Sequence, residues 1–143
     1  MWSYPIEFTA DDNDTVMVSF PDVPGALSFG DNEADAIENA RDALETVFSG
    51  LIGNRQDIPD PSPANGRATV SPSLLGTLKL TVYRAMRERG WRKADLARAL
   101  ELNPRQIDRL LDLRHGSTVT QLEQALRACG KTVEVGTREL EMA

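Results

Sequence analysis

Arg105, Gln106 and Arg109 project from one side of a short amphipathic segment. Guanidinium and carboxamide groups read guanine and adenine edges in the major groove or hold phosphate oxygens. On the opposite side Ile107, Leu110 and Leu111 recur at helical spacing, and upstream Leu96, Ala97 and Leu100 form a matching apolar face. Glu101, Leu102 and Asn103 interrupt the two faces. Asn103 is placed to cap the second segment, and Pro104 falls at its first position, where a missing N–H leaves no partner wanting. The pattern predicts helix, short turn, helix, with the second helix presented to duplex DNA. Arg92, Lys93, Arg98 and Arg114 flank the pair and are candidate phosphate contacts. Position 101 departs from the pattern, because a glycine would enter positive φ freely where Glu101 is strained by roughly 1 kcal/mol. Two packed helices with solvated arginines are the plainer reading of the same spacing.

The surrounding elements must hold that pair. Residues 73–89 place Leu75, Leu78, Val82 and Met86 inward and Lys79, Arg84 and Arg87 outward, and Gly90 closes the helix. After His115, read as a helix-end residue or phosphate contact, Ser117 or Thr118 caps a further helix with Val119, Leu122, Leu126 and Cys129 on one face. Val133 and Val135 then alternate with Thr132 and Glu134, which predicts a short strand with no partner among helices. It is expected to pair with its copy in a second chain or with the N-terminal sheet. A two-fold dimer would set two reading helices about one DNA turn apart, over an inverted repeat. Residues 137–143 read as frayed.

The N-terminal half has a different rhythm. Trp2, Tyr4, Ile6 and Phe8 alternate with Ser3, Pro5, Glu7 and Thr9, the period of a strand with one buried face, and Pro5 puts it at an edge. Asp11, Asp12, Asn13 and Asp14 form a hairpin turn, Val16, Val18 and Phe20 a second strand, and residues 26–29 a third. Asp31 or Asn32 caps a helix with Ile37, Ala40, Leu44, Val47, Phe48 and Leu51 on one stripe and Glu33, Asp35, Glu38, Asp42 and Glu45 on the other side. Pro59, Pro61 and Pro63 mark a loop over 54–66, and 68–71 returns as a strand. The expected class is α+β: a β-β-β-α-β unit over 1–71, then a mostly helical unit with a short terminal strand over 72–143.

Charge divides the chain at the same place. Residues 1–66 hold thirteen Asp and Glu against Arg41 and Arg55, a net −11, while residues 67–143 hold fourteen Lys and Arg against nine acids, a net +5, which together leave the total of −6. The basic half is drawn to phosphate and the acidic half to a basic protein. Cys129 and His115 are single, so neither an internal disulfide nor a Cys/His zinc site is available and no cofactor is expected. The chain lacks a long apolar run and a basic leader, and is expected to be cytoplasmic and away from membranes.

Tyr4 and Pro5 in the first strand, the string FPDVPGALSFGD over 20–31, and the alanines of the following helix (Ala34, Ala36, Ala40, Ala43) resemble HicB-type antitoxins. The proline-rich loop and the helix-turn-helix extend the likeness over nearly the whole chain. The resemblance implies an incomplete ribonuclease-H-like N-terminal domain without nuclease activity, which neutralises a small basic HicA-type toxin that cleaves mRNA. It also implies a C-terminal domain that binds the operator of the shared operon. In that scheme Arg105, Gln106 and Arg109 read bases, while Asp22, Val23, Glu33, Asp35, Glu38 and Asp42 are the expected toxin contacts. Two other functions fit parts of the sequence. One is a stand-alone repressor with a ligand-sensing N-terminal domain. The other is a metal-dependent nuclease using Glu7, Asp11 and Asp22.

Overall fold

The computed structural model describes residues 2–140. Five short strands and five helices follow one another as β1 (Tyr4–Pro5), β2 (Glu7–Ala10), β3 (Val16–Ser19), β4 (Leu27–Gly30), α1 (Glu33–Gly53), β5 (Thr69–Val70), α2 (Leu74–Glu88), α3 (Lys93–Leu100), α4 (Pro104–Leu111) and α5 (Val119–Ala128). The α+β class read from the sequence is the one observed.

The first predicted strand is two. It breaks at Ile6, whose N–H donates to the carbonyl of Ala68 at 3.0 Å. Tyr4 and Pro5 pair with Val70 and Thr69 in one antiparallel ladder, and Glu7 to Ala10 pair with β3 in another. Pro5 is buried along with Tyr4, although alternation places it on the open side. The larger sheet runs β2-β3-β4, so β4 forms its outer edge. The Asp11 N–H donates to Thr15 O across the β2–β3 turn, as the acidic turn signal predicts.

α1 covers one face of this sheet. Its buried line is Ala36, Ala40, Leu44, Phe48 and Ile52, a spacing of four that leaves Ile37 at the surface. Asn32 caps the helix by accepting from the Asp35 N–H at 2.9 Å. Ser28 reaches across from β4 and donates to Ala36 O at 2.6 Å, which fixes strand against helix. Tyr4 is fully buried, tilts against Phe48 at 5.3 Å between ring centres, and donates its hydroxyl to Pro59 O at 2.6 Å. That bond ties the proline-rich loop to the core. Tyr4→Phe keeps the ring and removes the bond, so urea unfolding should register a loss of about 1 kcal/mol.

α2 to α5 pack on one another, and their buried residues run continuously into the N-terminal core. Polar ties also bridge the halves. Arg84 pairs with Asp60 at 2.6 Å and lies 4.1 Å over the Trp2 ring, and Arg87 pairs with Asp57 at 2.6 Å. Glu45 does not belong to the solvated acidic side of α1. It is buried, and its Oε1 accepts from the Ser73 N–H at 2.8 Å just before α2. Val119, expected on the inner face of α5, is exposed, and the buried face there is Leu122, Ala125, Leu126 and Cys129.

The predicted strand around Val133 and Val135 is not formed. Residues 131–140 carry no ladder, and Val135 is 89% exposed. Val133 packs partly against the core while the rest of the stretch is exposed, without ladder pairing. Part of the stretch expected to fray, residues 141–143, lies outside the described residues.

Candidate functional site

The turn between α3 and α4 forms as its sequence dictates. Glu101 takes up φ 56°, the left-handed conformation expected of that position, and Leu102 N–H donates to Ala97 O at 3.0 Å. Asn103 accepts from the Gln106 N–H at 2.8 Å while Gln106 Oε1 accepts from the Asn103 N–H at 2.9 Å, a reciprocal cap. Ile107, Leu110 and Leu111 are buried beneath α4. Arg105, Gln106 and Arg109 therefore share the exposed side of a well-anchored helix.

The candidates differ in how free they are. Arg105, Arg109 and Arg92 make no ion pair among the described residues, whereas Gln106 spends its oxygen on the cap and keeps only its amide N–H groups. Lys93 bridges to Asp108 at 2.9 Å, tying α3 to α4, and Arg98 pairs with Asp95 on its own helix. Arg114 turns to the other half of the chain. Its guanidinium meets Asp42 Oδ1 at 3.1 Å and donates to Thr46 Oγ1.

Helical spacing misplaces Lys79, which the sequence sets outward. It is fully buried, and its Nζ donates to Arg109 O at 2.9 Å, Asp112 O at 2.7 Å and Ser117 Oγ at 2.9 Å. The ammonium sits where the last carbonyls of α4 lack helical partners and carry partial negative charge. Burial pushes its pKa down to about 8, against the opposing pull of Asp112. α4 is thus clasped from inside at its C-terminal end, at the backbone of Arg109 itself.

On the acidic half, Glu33, Glu38 and Asp42 are exposed along α1 and Asp35 is half-buried. Asp22 is a loop clamp: its Oδ2 accepts from the Ser62 N–H at 2.8 Å and the Ser62 hydroxyl at 2.9 Å. Val23 is 1% exposed and packs in the core, so this expected toxin contact offers no surface to a partner. The carboxylates weighed for two-metal chemistry lie apart. Glu7 pairs with Arg67 at 3.5 Å, Asp11 accepts within its own turn, Asp22 holds Ser62, and no metal-holding group of three is found among the described residues. No helix is long and apolar enough to cross a membrane among those residues. One surface feature has no counterpart in the sequence reading: Leu27 and Phe29 on β4 are 48% and 49% exposed.

Comparison with known proteins bears on the whole chain. Residues 3–81 match the family described as HicB_like antitoxin of bacterial toxin-antitoxin system. The chain is 35% identical over 132 residues to Antitoxin HicB 2 of Photorhabdus laumondii, covering 92% of this chain and 94% of that protein. It is 32% identical over 133 residues to Antitoxin HicB of Escherichia coli K12, covering 92% and 96%. The crystal structure of the N-terminal domain of Burkholderia pseudomallei antitoxin HicB superposes with a TM-score of 0.43 at 31% identity, over 50% of this chain and 99% of that one. With that match to residues 3–81 and relatives alike along almost their whole length, the chain belongs to the HicB-like antitoxins of bacterial toxin–antitoxin systems.

Proposed function

We propose that this chain neutralises a small basic HicA-type toxin that cleaves mRNA, by covering the toxin with its acidic half, and represses its own operon through α3 and α4. The observation that carries the reading is the pairing of opposite surfaces on one chain. α1 exposes Glu33, Glu38 and Asp42, whereas α4 exposes Arg105 and Arg109 free of internal ion pairs among the described residues. An acidic surface steers a basic protein and repels nucleic acid, and free guanidinium groups on an anchored helix do the reverse. In this reading the N-terminal half is an incomplete ribonuclease-H-like unit without nuclease activity. The helix-turn-helix of α3 and α4 works as a dimer on an inverted repeat in the cytoplasm. Residues 131–140 serve as the dimer arm in this reading, with Val135 and Leu140 exposed on it.

The antitoxin half is tested by co-expression with the HicA-type toxin encoded beside it. Growth should be restored, and native mass spectrometry should find the two chains at fixed stoichiometry. A free oligomer with growth still arrested would favour a stand-alone repressor. The repressor half is tested on duplex DNA from upstream of the chain's own gene. Arg105→Ala and Arg109→Ala should each weaken binding roughly ten-fold or more with the melting temperature unchanged. Equal affinity of both variants at two salt concentrations would remove α4 from the interface.

A further inference from the structure

We propose that the corner where the C-terminal end of α1 meets the start of α3 is a phosphate-binding site built by both halves of the chain, with Arg55 and Arg92 as its free cations. Its occupant is a backbone phosphate of the duplex that lies on α4. This inference rests on the repressor reading above and extends the DNA-facing surface into the half that carries −11.

A pocket of about 370 Å³ opens at this corner, walled by Arg55, Tyr83, Arg87, Trp91, Arg92 and Lys93 among others, and no acidic residue lines it. Of the two bases in residues 1–66, Arg41 gives its Nε to Ser71 O at 3.1 Å, and Arg55 stands here. Where the halves meet at this corner, the acidic one thus presents a cation to cations. Two of the four are neutralised within the chain. Arg87 lies on Asp57 at 2.6 Å, and Lys93 bridges to Asp108 at 2.9 Å. Arg55 and Arg92 are exposed and make no ion pair among the described residues. The acids that flank the site in sequence are already committed, Asp57 to Arg87, Glu88 to Lys131 at 3.2 Å, and Asp95 to Arg98 and the Arg92 N–H. Like charges left facing one pocket favour an anion between them.

Arg55 is held firmly for such a task. Its carbonyl accepts from Arg87 Nη1 at 2.9 Å, and the next carbonyl, Gln56 O, accepts from the buried Tyr83 hydroxyl at 2.8 Å, so the turn after α1 is fastened to α2. The residue also takes φ 55°, a conformation that glycine enters without strain, and the chain keeps a guanidinium there. Position selects the source of the phosphate. Lys93 begins α3, and its bond to Asp108 joins the pocket to the helix that carries Arg105 and Arg109. In a helix-turn-helix the helix preceding the reading helix runs against the sugar–phosphate backbone, and the positive start of a helix adds to the pull on an anion. Guanidinium groups suit phosphate oxygens because they donate in pairs.

The test uses the full chain with duplex from upstream of its own gene and an unrelated duplex of equal length. Arg55→Gln should weaken both by about five-fold or more at 0.1 M salt and lower the slope of log affinity against log salt by about 1. Arg41→Gln removes the same charge away from the corner and should leave the slope as in the parent. A second arm follows melting of the unaltered chain and of Arg55→Gln with inorganic tripolyphosphate. Equal slopes for Arg55→Gln and Arg41→Gln, with no tripolyphosphate shift, overturn the site. Equal slopes with a tripolyphosphate shift that Arg55→Gln abolishes keep the site and make its occupant a free phosphate compound. Failure of the unaltered chain to bind duplex at all overturns the repressor reading, and the tripolyphosphate arm then decides the site alone.

Discussion

Gly30→Ala is expected to destabilise the protein by about 3 kcal/mol or more, a large part of the stability of a small domain. Gly30 ends β4 where the first turn of α1 crosses it. A Cβ at this position would stand 2.3 Å from Ala36 N, 2.5 Å from Asp35 Cβ and 2.7 Å from Asp35 C. Two of those three atoms are backbone, and rotamer changes cannot move them. Helix and strand would have to separate. The separation would break the bond from Ser28 to Ala36 O and the bond from Asn39 to Phe29 O, because both span the same junction. Overpacking of a close backbone contact has no soft mode of relief, unlike the swelling of a side-chain cavity. Urea unfolding measures the effect directly. A loss below about 0.5 kcal/mol, the scatter of ordinary surface changes, would mean that α1 does not approach β4 as described.

The sequence carried local decisions well and long-range ones poorly. Asn103, Pro104 and Glu101 set the turn between α3 and α4, and each acts within its own few residues, so each was legible. The acidic hairpin turn and the cap before α1 are legible for the same reason. Lys79 was not. Its position in α2 is one that a helical wheel assigns to solvent, and only the arrival of the α4 end and Ser117 from thirty or more residues away makes it a core residue. Glu45 fails the same way, because the N–H it serves belongs to Ser73. Alternation also cannot report that a strand changes partners. Trp2 to Phe8 keeps one rhythm through Ile6 while its hydrogen bonds pass from β5 to β3. Val23 carried a functional expectation because its motif was distinctive, yet its surroundings make it core. Leu27 and Phe29 carried no expectation of their own. Strand periodicity does not say which face is covered, and α1 packs on the face that carries Ser28, which leaves these two about half exposed.

Between pH 8 and pH 10.5 the unaltered protein should gain stability relative to Lys79→Met, by at most about 3 kcal/mol. Two forces compete at this side chain. Three acceptors and the C-terminal end of α4 favour the ammonium, while loss of water favours the neutral amine. Desolvation is the stronger, and it lowers the pKa from 10.5 to about 8. The sign follows from proton counting. Below pH 8 folded and unfolded chains both hold the proton, and the full burial penalty applies. From pH 8 to 10.5 the unfolded chain holds more protons than the folded one, so stability rises with pH. Above 10.5 both are neutral and the difference levels off. Tyr4 and Tyr83, whose phenols burial pushes up, and the buried thiol of Cys129 titrate in both proteins and drop out of the comparison. A flat or falling difference would show that the acceptors outweigh desolvation. The amine form has two N–H groups for three acceptors, so the end of α4 loses a tie as the protein grows more stable. Operator affinity of the unaltered chain should therefore fall, relative to Lys79→Met, over the window in which its stability rises. A parallel rise in both would mean that Lys79 fills space without orienting α4.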